Sequence, residues 1–193
     1  MMSLKAFAPI LASIVGTTPA AIYERQRALV RAKLLPTPIG RGRGNGLPAT
    51  AETVAMLLIA IMVTDNLSDT DGRVGKLAHA QVVGRGPLKR QKARCGLTGR
   101  RDFKGALIAI LRSTEFPTSL VVEVSRNNLA ASIVYGRRPG ENSDCVGITK
   151  FRGSPPVGSK LSVEATLGLE ALETISKALH SESQELSDER FYP

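Results

Sequence analysis

The spacing of apolar and polar positions changes character partway along the chain. Up to residue 111 the apolar residues recur three and four apart, as they do on one face of a helix; from residue 120 they alternate, as they do on a strand. In the helical half, residues 11–35 read as two helices joined by a tight turn. Residues 54–63 form the longest unbroken apolar run and read as a buried helix, with Thr50 as its cap and Glu52 in its electropositive first turn. Residues 65–72 have turn composition, and Val74, Leu77, Ala78, Gln81 and Val82 allow one short amphipathic helix. Helical spacing resumes over 103–111 and breaks at Phe116-Pro117-Thr118. The polar turn Ser125-Arg126-Asn127-Asn128 then separates two alternating runs, residues 120–124 and 129–135, which predict a β-hairpin. Two further strands are expected at 145–151 and 161–165, then a helix with Leu169, Leu172, Ile175 and Leu179 on one face, then a polar, acidic and disordered tail over 181–193. The expected class is α+β, a small antiparallel sheet with flanking helices.

Composition narrows the function. The chain has 193 residues, 42% of them apolar, and a mean hydropathy near zero, which suffices for a core and excludes both wholesale disorder and a multi-span membrane protein. Only 4% of residues are aromatic and none is Trp, which disfavours a sheet that stacks unpaired bases on exposed rings. Two cysteines, Cys95 and Cys145, are too few for a secreted disulfide scaffold or a four-thiolate zinc site, so a reducing cytoplasm is expected. Lys5, the apolar residues 6–15 and Thr18-Pro19-Ala20-Ala21 imitate a signal peptide. Pro9 interrupts that run, and the segment makes better sense as a helix pair. The run at 54–63 has ten residues where a bilayer needs roughly 20, so no membrane partner is expected.

The formal charge of +9 is unevenly spread. Residues 1–48 carry +6 and residues 85–104 carry +7, while 49–84 and 105–193 each carry −2. Two short basic blocks on a slightly acidic body point to a localised polyanion contact, because each Lys or Arg that meets a phosphate releases condensed counterions. The plain alternative is a solvated basic surface. The second block, with Lys89, Arg90 and Arg94 among its cations and several glycines between them, reads as a loop or arm that could track a phosphate backbone.

The most specific signal lies in residues 11–46. Ala12 and Gly16 are four apart, Thr17-Thr18-Pro19 follows, and Ile22 comes six residues after the glycine. A small residue lets two helices cross closely, glycine takes the turn, and an apolar residue on the second helix plugs the angle between them. Thr18 suits a cap and Pro19 the first helical position, with the second helix running from 19 to about 33. Stepping 100° per residue from Ile22 puts Gln26 and Leu29 on the core face, leaving Ala20, Glu24, Arg27 and Arg31, flanked by Tyr23, on the other. Small residues at the start allow close approach to base edges, and the arginines beyond suit guanines or phosphates.

On these residues the segment resembles the winged helix-turn-helix DNA-binding domains of bacterial and bacteriophage regulators, over about a quarter of the chain. The resemblance implies a recognition helix in the major groove, with Thr17, Thr18, Ala20, Tyr23, Glu24, Arg27 and Arg31 at the interface. It also makes Gly40-Arg41-Gly42-Arg43-Gly44-Asn45-Gly46 a wing whose Arg41 and Arg43 reach the adjacent backbone or minor groove. Gln26 departs from the pattern, standing where such helices carry an apolar residue. An ordinary helical hairpin with a surface Gly/Arg linker is the alternative.

The chain thus divides into a winged helix-turn-helix at 1–48, a helical connector with a basic loop at 49–104, an α+β oligomerisation region at 105–180 and a tail. No cofactor, metal or effector is indicated. His79 and His180 stand apart without partners at ligand spacing, Asp65, Asp69 and Asp71 lack the glutamate that would complete a calcium loop, and the glycines at 40–46 lack the Lys-Ser/Thr ending of a phosphate loop. The expected function is sequence-specific binding of duplex DNA by a homo-oligomer, a dimer in preference, as a transcriptional regulator and not an enzyme. A DNA-packaging protein like a small terminase subunit, or an architectural protein, is the alternative.

Overall fold

The structure, a computed structural model, describes residues 2–37, 46–64, 70–84, 93–136, 146–154 and 163–188. Among them the chain forms helices α1 (Leu4–Val15), α2 (Pro19–Arg31), α3 (Ala51–Val63), α4 (Thr70–Ala78), α5 (Phe103–Leu111) and α6 (Leu169–Asp188). The strands are β1 (Gln81–Val82), β2 (Leu120–Ser125), β3 (Ala130–Tyr135), β4 (Gly147–Arg152) and β5 (Glu164–Gly168). They make one antiparallel sheet in the order β1-β4-β3-β2-β5, so the α+β expectation holds.

Helix α3 occupies the centre. Eleven of its thirteen residues are buried, as a helix that is apolar all round requires, and it touches α2, α4 and α5 as well as β2 and β5. Its polar ends are satisfied from outside. At the start, Thr50 and Thr53 each accept the other's backbone N–H, at 3.2 and 2.9 Å respectively. At the end, the carbonyls of Met62 and Val63 accept from the guanidinium groups of Arg126 (2.7 Å) and Arg73 (3.4 Å), placing two positive charges on the negative end of the helix dipole.

Along β2 the side chains of Leu120, Val122 and Val124 are buried, and Ala131, Ile133, Thr149, Phe151 and Leu167 continue that inner face on the neighbouring strands. Phe103 of α5 meets Phe151 with ring centroids 5.4 Å apart. One continuous cluster of buried apolar side chains runs from Leu4 to Ile175 and draws on every helix and on strands β2 to β5.

Several expectations need correction. Gln81 and Val82 leave the helical period: α4 ends at Ala78, and β1 pairs with Arg152 and Phe151 of β4 while Val82 donates to the carbonyl of Arg101 at 3.0 Å. A ready strand edge gives those backbone groups partners, and β-branched Val82 favours the extended form. The last strand sits a few residues later than expected, because the alternation that starts at Leu161 continues to Leu167, which is the buried member. Helix α6 runs on through 181–188, where a disordered tail was expected. Its apolar face is spent inside the chain: Leu172 and Ile175 are buried, and Leu169 and Leu179 pack against the core.

Among the described residues the winged form of the N-terminal motif does not appear. Among the described residues no strand flanks the Arg/Gly loop; residues 46–49 come back beside 2–4, with Leu4 donating to Leu47 at 2.6 Å and Ala49 to Met2 at 2.9 Å, and the sheet-like contact is one isolated bridge between Ser3 and Pro48. Pro36 and Pro48 have no N–H to donate, which denies a ladder to both sides of the loop. Arg41 and Arg43 lie outside the described residues.

Candidate nucleic-acid interface

The helix pair itself is built as its sequence dictates. Gly16 ends α1 in the left-handed region (φ 67°, ψ 40°), its N–H and that of Thr17 both returning to the carbonyl of Ala12. Two residues later Thr18 opens α2, its side chain accepting from Ala21 N–H at 3.2 Å, with Pro19 at the first helical position. Helix α1 runs through Pro9; Lys5, Ala6 and Pro9 are exposed, so the carbonyl that loses its donor lies on the solvent side. Between α1 and α2 the chain turns by 117°, inside the ~90–120° of a helix-turn-helix.

Packing then decides which face of α2 is presented. Ile22, Ala28 and Leu29 are buried and hold the helix on the core, and Gln26 is half-buried beside them. Ala20, Tyr23, Arg27 and Arg31 are exposed, as is Thr18, while Glu24 is intermediate, so the structure brings the predicted α2 residues together on one open face. Thr17 is half-buried in the turn.

Within that face Arg27 is held in place by light contacts. Its Nη1 donates to Glu24 Oε1 at 3.1 Å, and its guanidinium carbon lies 6.0 Å from the centre of the Tyr23 ring. Both members of the ion pair are substantially exposed, with side chains 57% and 44% accessible, so the pair contributes about 0.2–1 kcal/mol at most. So weak a restraint leaves the guanidinium able to exchange Glu24 for another acceptor. Arg25 is half-buried on the inner side of α2, its Nε buried without a hydrogen-bond partner among the described residues.

No family model, no curated protein and no solved structure matches this chain.

The second basic block is divided. Lys89 and Arg90 lie outside the described residues, whereas Arg94 is exposed and donates to the carbonyl of Gly99 at 3.1 Å. Far from a free arm, residues 94–102 form an ordered turn: Cys95 is buried, its N–H donates to Arg100 and its carbonyl accepts from Gly99, and Asp102 caps α5 through Gly105 N–H at 2.8 Å. Among the described residues no hydrogen bond or ion pair joins Arg94 to α2. Cys145 lies outside the described residues. Among the described residues no three His, Cys, Asp or Glu side chains are grouped to hold a metal ion; His79 is exposed, and His180 Nδ1 lies 2.8 Å from the carbonyl of Ser176 one turn earlier. No single described helix is long and apolar enough to cross a membrane.

Proposed function

We propose that this chain binds duplex DNA sequence-specifically through α2, as a transcriptional regulator acting as an oligomer. The observation that carries the reading is the exposed face of α2, which follows a 117° turn and sets small Ala20 at the helix start and Arg27 and Arg31 further along. Recognition helices contact base edges with their N-terminal part, where backbone N–H groups and the helix dipole also favour phosphate. Arg27 and Arg31, four apart, stand on one side of the helix and suit guanine edges or flanking phosphates. Of the winged form, the helix-turn-helix is the part this reading uses; Arg41 and Arg43 add minor-groove or backbone contacts from the loop beside it. Dimerisation is proposed along β4, where Val146 and Ile148 are exposed apolar residues and β1 pairs with Phe151 and Arg152 alone.

Selection from random duplexes followed by gel shift tests this. The expected result is an enriched motif, with Arg27→Ala and Arg31→Ala each lowering affinity for it by about 1–3 kcal/mol where the arginine reads a base. Light scattering on the same protein is expected to report a dimer. Failure to enrich any sequence, together with unchanged affinity in both variants, would overturn the reading.

A further inference from the structure

We infer that the open face of the sheet is where two copies of this chain meet, each laying its β4 over the β2 of the other. The inference rests on the dimerisation proposed above and deepens it, taking the face of β4 rather than its edge as the contact.

The buried residues of the strands all lie on the side turned to the helices. On the other side every described residue is exposed or half-buried, and strand register sorts these residues into rows. One row is apolar, with Val121, Val134 and Ile148 side by side on β2, β3 and β4. In the next, Glu123 and Lys150 stand one strand to either side of Ser132. The third runs from Arg152 on β4, through Ala130 and Ser125, to Glu164 on β5. Both cations of this face are therefore on β4 and both acids on β2 and β5, with β3 uncharged between them. Equal numbers of cations and acids give a polyanion nothing to hold, but a surface divided in this way matches a copy of itself turned over.

Sheets that pack face to face lie about 10 Å apart, with strand directions within about 30°. A two-fold axis between the faces can run along the strands or across them. Run across, it sets β4 on β4 and opposes Lys150 to its own copy. Run along β3, it exchanges left and right but keeps each row in place. The partner's Lys150 then lies over Glu123, the partner's Ile148 over Val121, and the partner's Arg152 over Ser125, one strand from Glu164. Apolar residues meet apolar ones and charges meet their opposites, so the charge pattern selects this axis. Glu123 already accepts from the Ser132 hydroxyl at 2.7 Å, and a carboxylate has further lone pairs for an ammonium group. Ile148, 58% exposed, gains cover that its own chain does not provide. Helix α3 touches α2 on one side and β2 and β5 on the other, so the contact leaves the exposed face of α2 open to DNA. Strand spacing and rise make the face roughly 20 Å on a side, which places the pair at the small, reversible end of specific interfaces.

The test is sedimentation equilibrium of the full chain and of two charge reversals. Lys150→Glu opposes two acids across the interface and Glu123→Lys opposes two lysines, and by symmetry each does so twice. Either variant alone should therefore self-associate about ten- to a hundredfold more weakly than the natural chain. Mixed in equal amounts, the two should pair with each other at close to the natural affinity, because both contacts again join opposite charges; an effect on the folding of either chain could not produce this rescue. Ile148→Asp should weaken association by about tenfold or more, with urea unfolding unchanged. Weakening without rescue on mixing overturns the pairing of Lys150 with Glu123. A dimer that none of these substitutions moves is joined elsewhere, which overturns the face and leaves dimerisation standing. A natural chain that stays monomeric at its highest soluble concentration overturns both and leaves the face to a different protein. The gel shift through Arg27 and Arg31 is decided separately from all three.

Discussion

Helices α2 and α3 form a matched pair with opposite fates. Each has thirteen residues, and each opens at a threonine that accepts the N–H of the third helical residue. Yet α3 buries eleven residues and α2 only three. Length and cap make a helix; the distribution of apolar positions decides where it goes. In α3 every side of the cylinder is apolar, so the only stable place for it is between the sheet and the other helices. In α2 a narrow stripe, Ile22 and Leu29 with Ala28, fastens one side, and Arg27 and Arg31 keep the other in water. Burial is concentrated in one member of the pair, and the other keeps an open charged face, the one proposed to meet DNA.

The largest effect should come from breaking the buried member. Leu57 is fully buried in α3, and Leu57→Ala removes its contacts while its close-packed surroundings collapse only in part, costing about 2–5 kcal/mol. Arg27→Ala on α2 should change stability by no more than about 0.5 kcal/mol while it weakens DNA binding. Urea unfolding of the two variants checks this contrast. Equal losses of stability would mean that α2 carries structural load the exposure of its face does not reveal.

Next comes the far end of α3. Nothing basic lies in its own last turn, and its terminal carbonyls depend on Arg126 from the β2–β3 turn and Arg73 from α4. Arg73 also donates to the carbonyl of Arg126 at 2.5 Å, so the two arginines brace each other. Arg126→Ala leaves the Met62 carbonyl short of a donor in a partly buried setting, and should cost about 1–3 kcal/mol in the same urea experiment. A loss below the noise of the measurement would show that water replaces the guanidinium there.

Much of this division was legible in the sequence. The span of α5 and the hairpin strands follow directly from period and turn composition, and the open face of α2 follows from a 100° step applied to Ile22. The cap at Thr50 and the burial of the run after it are equally local properties. The reversal of chain direction at Gln81 was not legible, because it depends on an edge of β4 seventy residues away. Nor was the burial of α6's apolar face, since an amphipathic helix looks the same whether its partner is its own chain or another. The arginine cap on α3 is likewise a tertiary device: Arg126 reads as a turn residue until the fold carries it to Met62. For the candidate interface, the residues of α2 were identifiable from one short segment. The close approach of α4 to the end of β4 at Gly153 was not, since no spacing along the chain records it.

The smallest effect sharpens the comparison most, because it sets the two caps against each other. Thr50 works in a reciprocal pair with Thr53, whose hydroxyl also donates to the Pro48 carbonyl at 2.7 Å in partly buried surroundings. Thr18 makes a single bond to Ala21 N–H in the open. Loss of an N-cap threonine costs about 0.5–2 kcal/mol, and water can take over at an exposed end but not readily at a half-buried one. Thr50→Ala should therefore fall near the upper end of that range and Thr18→Ala near the lower, in matched thermal melts. The order reverses for DNA binding. On the proposed reading, fraying the start of α2 displaces Ala20 and the helix N–H groups from the face offered to the duplex, so Thr18→Ala should weaken binding measurably while Thr50→Ala, once its lower melting temperature is allowed for, leaves affinity near that of the natural chain. Equal effects of both substitutions on affinity would mean that the start of α2 does not touch DNA.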